Sequence, residues 1–110
     1  MKNYFHNYRF KIYYAVKRLK DDFIRKGISY HKLYQDEEIV AYSLAKMDNE
    51  WFEVFRYKIR KPNKFIDDEY EVYPSNEDFG VWAWSCSNLD SVNKVLRKHF
   101  DGKTLPILVK

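Results

Sequence analysis

The sequence predicts a single α+β domain over residues 1–110: a long N-terminal helix, an antiparallel sheet of about four to five strands and a C-terminal helix. Three observations lead there. Met1 to Lys26 contains no Gly or Pro and carries apolar residues at helical spacing. The stretch from Ile28 to Cys86 alternates apolar and polar residues between turns. The closing stretch SNLDSVNKVLRKHF has a helical apolar stripe. A chain of 110 residues fits one domain, and 45% apolar and 19% aromatic residues supply a core that a disordered chain lacks.

The first element places Tyr4, Phe5, Tyr8, Ile12, Ala15, Val16, Leu19 and Phe23 on one arc of a helical wheel, and Gly27 follows where a helix C-terminal glycine belongs. Tyr8, Phe10, Ile12, Tyr14 and Val16 also alternate with period two. A strand before a shorter helix is therefore the rival, disfavoured by the absence of a turn residue between them. Next come a strand in ISYHKLY, a turn at QDEE, a strand in EIVAYSLAKM, a turn at MDNE and one long strand in WFEVFRYKIRK. KPNK reads as a type I turn into a strand, FIDDEYEVY. Setting Lys61 opposite Lys64 pairs Lys58 with Asp67, Arg56 with Glu69 and Phe55 with Tyr70, so that opposite charges share one face. PSNED connects to a strand FGVWAWSC with Trp82, Trp84 and Cys86 on one face. The last helix has Ser87 or Asn88 as N-cap and ends at Gly102, and residues 103–110 form a tail that packs, adds a strand or meets a partner.

The net charge of +4 is uneven: Met1–Lys26 holds eight Lys/Arg against Asp21 and Asp22, net +6, leaving −2 elsewhere. A basic segment of this size suits phosphates or acidic partners, and equally an ordinary solvated helix face. One cysteine, no apolar run long enough for a membrane span and a charged N-terminus make a cytoplasmic location the expectation, with no membrane partner.

Chemistry finds little support. Cys86 precedes a predicted helix start, which lowers a thiol's pKa, but His99 lies at the far end of that helix. His6, His31, His99 and Cys86 are scattered without metal-ligand spacing, and three glycines cannot build a phosphate cradle. Asn76, Glu77 and Asp78 occupy a loop, where functional acids and plain solvated acids both occur. No cofactor is implied.

Two surfaces remain. Phe10, Tyr13, Lys17 and Lys20 lie opposite the apolar arc of the first helix, a composition suited to a protein partner or self-association. Arg56, Tyr57, Lys58, Trp82 and Trp84, with Tyr70 and Arg60, supply cations and aromatic faces for single-stranded nucleic acid. YPSNEDFG followed by WAW, after an EVFRYKI-like strand, resembles small uncharacterised bacterial proteins associated with mobile elements. The resemblance covers the second half of the chain and implies no activity, cofactor or site residue. The expectation is a non-catalytic binding or interaction module with a protein partner or a second copy. Nucleic-acid binding is the alternative, and an enzyme using Cys86 or Glu77/Asp78 the third reading.

Overall fold

The computed structural model describes residues 17–62 and 68–106. The chain divides into two compact units, Met1–Leu19 with Lys58–Tyr73 and Lys20–Tyr57 with Pro74–Lys110. In chain order the strands are β1 (Asp22–Arg25), β2 (Ile28–Gln35), β3 (Ile39–Lys46), β4 (Asn49–Arg56), β5 (Ile59–Arg60), β6 (Tyr70–Glu71) and β7 (Ala83–Cys86). A short 3-10 turn (Asn76–Asp78) precedes β7, and helix α1 (Leu89–His99) follows it.

The larger unit is a five-stranded antiparallel sheet in the order β1-β2-β3-β4-β7, with α1 against β4 and β7. The predicted long N-terminal helix is overturned: Asp22–Arg25 is an edge strand paired with β2 from Asp22 opposite His31 to Arg25 opposite Ile28. Residues 1–16, including Phe10 and Tyr13, lie outside the described residues. The physical reason is the double use of glycine. Lys26 (φ 53°) and Gly27 (φ 77°) are the two central residues of a tight hairpin, where positive φ at both matches the strand twist. A helix end calls on the same glycine freedom, so Gly27 does not distinguish the two.

The face of the sheet under α1 buries Ile39, Ala41, Val54, Cys86 and, from beyond the helix, Leu105, against Val92 and Leu96. Each fully buried aliphatic side chain contributes roughly 1.5–3 kcal/mol. Asn88, one of the two N-cap residues expected from sequence, caps α1, its side chain accepting from Ser91 N–H at 2.8 Å. Asp101 (φ 53°) and Gly102 (φ 74°) end it, with Gly102 N–H donating to Leu96 O at 3.0 Å. The predicted tail enters the core at Leu105, and residues 107–110 lie outside the described residues.

The opposite face carries an aromatic row. Phe23 stacks on Tyr30 at 4.4 Å, Tyr42 lies parallel to Phe55 at 6.1 Å, and Trp82 meets Phe55 edge-on at 6.1 Å. Tyr42 is fully buried, and its hydroxyl is satisfied by donating to Lys20 O at 2.6 Å. A bulge at Leu33 places Lys32 opposite Tyr42 and Tyr34 opposite Ala41. It moves Tyr34 from the aromatic face, where plain alternation would put it, to the helix face.

Three strand expectations change. The long strand Trp51–Lys61 is broken between Arg56 and Ile59, where Tyr57 N–H turns to Glu38 O at 2.9 Å. The predicted hairpin register fails: Ile59 faces Glu71 and Arg60 faces Tyr70, five positions away, and an odd shift exchanges the faces. Val72 N–H donates to Lys58 O at 3.0 Å in this same register, and Glu71 is 5% exposed and accepts Leu19 N–H on its carboxylate at 2.8 Å. The strand after PSNED starts only at Ala83, because Val81 and Trp82 N–H both donate to Asp78 O, in a turn. Trp84 and Cys86 share the helix face, but the Trp82 ring packs on Phe55 across the sheet.

The smaller unit, over its described residues, is three short extended segments. β5 pairs antiparallel with β6, and Lys17 lies parallel on the other side of β6, opposite Tyr70.

Candidate functional site

The residues singled out for nucleic acid do not gather into one exposed platform in the larger unit. Arg56 donates from Nη2 to His99 O at 2.6 Å, and its guanidinium sits 4.6 Å from the Phe100 ring centre, so it caps the C-terminus of α1. Trp82 is 6% exposed, and Trp84 stacks on His99 at 4.1 Å. Tyr57 is half-buried, and Lys58 is exposed at the start of the smaller unit's segment. Lys17 and Lys20 are exposed. The acids of the loop divide: Asp78 Oδ2 accepts from Ser75 N–H at 2.9 Å and Ser75 O–H at 3.0 Å, a turn-closing role, while Asn76 and Glu77 are exposed.

Cys86 has a surrounding opposite to that of a reactive thiol. It is 2% exposed, and burial, with Glu53 adding to it, pushes its pKa up to about 11. Among the described residues no group of three or more His, Cys, Asp or Glu is placed to hold a metal ion, and no helix is long and apolar enough to cross a membrane.

The most elaborate polar cluster centres on Asp36, between β2 and β3. It accepts from Glu38 N–H at 2.7 Å, Ile39 N–H at 2.8 Å and Tyr34 O–H at 2.7 Å, and pairs with Lys103 Nζ at 2.5 Å. Burial alone would raise the carboxyl's pKa, but Lys103, Tyr34 and the two backbone donors together hold it well below the usual carboxylate range. The pair with Asp36 raises the pKa of Lys103. Every partner is internal, so the cluster fastens the segment after α1 to the β2–β3 loop.

What sequence reasoning missed is the β1 edge. Lys32 N–H donates to Asp21 O at 2.7 Å, and the register makes residues 21, 23 and 25 the ones bonded to β2. The N–H and C=O groups of Asp22 and Ile24 therefore point away from the sheet. The Ile24 side chain is 76% exposed, and a shallow groove of about 530 Å³ runs beside it, lined by Asp22, Phe23, Ile24, Ser29, Tyr30 and His31. Asp22 Oδ1 and His31 Nδ1 lie 2.6 Å apart across the two strands. The available signal was RKGI: a Lys-Gly pair between residues able to face each other in a hairpin.

No family model, no curated protein and no solved structure matches the chain. The resemblance carried by YPSNEDFG, WAW and the EVFRYKI-like strand rests on those motifs alone.

Proposed function

We propose that the protein is a non-catalytic interaction module that self-associates by adding β1 of one copy to β1 of a second. The observation that carries this reading is the outward backbone of Asp22 and Ile24 on an edge strand with an exposed Ile24. Strand parity and charge select the pairing. Only residues 22 and 24 bond outward, so an antiparallel copy sets Asp22 against Ile24 of the second copy with Phe23 on the two-fold axis. That register places Asp21 opposite Arg25 of the other copy, twice by symmetry. The alternative of Ile24 on the axis would extend the ladder to Lys26, whose positive φ belongs to the turn. A cytoplasmic setting fits the buried, unpaired Cys86.

Light scattering over a range of concentration tests the reading. Wild type gives a dimer mass. Ile24→Pro removes one outward N–H without touching a β1–β2 bond, and gives a monomer with unchanged circular dichroism. Asp21→Lys and Arg25→Asp are each monomeric alone and form a mixed dimer when combined. A wild type that stays monomeric to millimolar concentration, or a dimer indifferent to Ile24→Pro, overturns it.

A further inference from the structure

We infer that the smaller unit carries a binding row for single-stranded nucleic acid, formed by Lys17, Tyr70 and Arg60. Lys17 N–H donates to Glu69 O at 2.7 Å and Glu71 N–H donates to Lys17 O at 2.8 Å, which sets Lys17 directly beside Tyr70 in parallel pairing. Arg60 is the antiparallel partner of Tyr70 on the other side. Residues directly opposite across neighbouring strands project to the same face, so the three side chains form one row, with a cation about 4.8 Å of strand spacing to either side of the ring. Lys58, two residues before Arg60, alternates to the same side.

Among the described residues the row takes no part in holding the fold. Lys17 and Arg60 are exposed and Tyr70 half-buried. Among the described residues neither cation takes part in an ion pair, and the Tyr70 ring makes no ring contact. The acids flanking Tyr70 in sequence do not neutralise it: Glu69 and Glu71 alternate to the opposite face, and Glu71 is held by Leu19 N–H. Asp68, the next acid on the same alternation, sits in a bend before β6.

An aromatic face between two cations matches a base stacked on the ring with its flanking phosphates on Lys17 and Arg60. An acidic protein segment would engage the cations and leave the ring idle, so single-stranded nucleic acid is the better-matched occupant. Tyr70 and Arg60 belong to the face expected from sequence, whereas Lys17 was not part of it and Arg56, Trp82 and Trp84 are engaged in the packing of the larger unit. It shares no residue with the β1 edge and stands or falls separately from self-association.

Fluorescence anisotropy of labelled oligothymidylate and oligoadenylate at low salt tests it, with circular dichroism confirming each variant's fold. Both oligonucleotides bind. Tyr70→Ala weakens binding roughly five- to 150-fold, the factor equivalent to about 1–3 kcal/mol of base stacking, while Tyr70→Phe retains it. Lys17→Ala and Arg60→Ala each reduce the slope of log affinity against log salt by about 0.7. Absence of binding at low salt overturns the inference. So does binding that Tyr70→Ala leaves unchanged, or that inorganic polyphosphate or polyglutamate competes away while Tyr70→Ala has no effect, which identifies charge alone.

Discussion

Arg56 reads from sequence as a phosphate-binding cation in a basic strand, and the structure gives it to the end of a helix. Its bond to His99 O neutralises a carbonyl at the negative end of α1, and its guanidinium covers Phe100. Arg56→Met keeps the stem and removes both interactions. It should cost about 1.5–3 kcal/mol, the range for hydrogen bonds to charged groups, read as a lower urea midpoint at unchanged slope. Asp36 supplies a pH dependence. Its folded-state pKa lies below the unfolded one, so the unfolded chain binds more protons in acid and the contribution to stability is present above the unfolded value of about 4. It is lost progressively as the pH falls below that value toward the folded one. Urea melts between pH 2 and 6 should show Asp36→Asn with a shallower loss of stability in acid and lower stability than wild type at neutral pH. At Cys86 the buried thiol should react with a thiol reagent at neutral pH only as fast as the protein opens, so labelling accelerates with urea in step with unfolding.

Among the elements, the β1–β2 hairpin was the hardest to read. Its turn residue, Gly27, serves a helix end equally well, and the apolar residues before it fit both a 3.6 and a 2.0 period. The strand is held by packing across the hairpin and beyond it: Phe23 stacks on Tyr30, and Tyr42 reaches Lys20 O from farther along the chain. A Cβ at Gly27 would meet nothing nearer than Lys46 Cε at 3.9 Å, so the effect of Gly27→Ala isolates the backbone term. We expect that substitution to destabilise by about 1–2 kcal/mol, and Lys26→Gly to be neutral or stabilising, both by thermal melts. Strands β2 and β3, the turn between β3 and β4 and the cap of α1 were legible, because alternation, turn residues and an Asn before the first helical turn are local signals. The breaks at Tyr57 and Trp82 were not. Each is imposed by a backbone hydrogen bond, to Glu38 O and to Asp78 O, that composition does not announce.

For the molecule as a whole, the sequence conveyed an α+β chain with an antiparallel sheet and a closing helix, but neither the division at Leu19/Lys20, Tyr57/Lys58 and Tyr73/Pro74 nor an edge strand at β1 that no other described strand pairs on its outer side. Candidate residues chosen by type, such as Trp84 and Arg56, proved to be bound up in packing. The residues left available, Ile24 and the Lys17–Tyr70–Arg60 row, are defined by register, which depends on pairing across the chain. The core under α1 also draws on distant segments, from Ile39 to Leu105. Leu105→Ala should therefore cost about 2–5 kcal/mol in urea unfolding, as for other fully buried leucines. During synthesis this spread has a temporal meaning. The segments of β1–β4 are made with Ile39 and Val54 still uncovered, and the roughly 50 residues from Arg56 to Leu105 take about 2.5–10 s to follow at 5–20 residues per second. For those seconds the residues of that face lack the side chains that cover them in the finished fold, and a chaperone that shields apolar segments would find Ile39 and Val54 available until Leu105 seats.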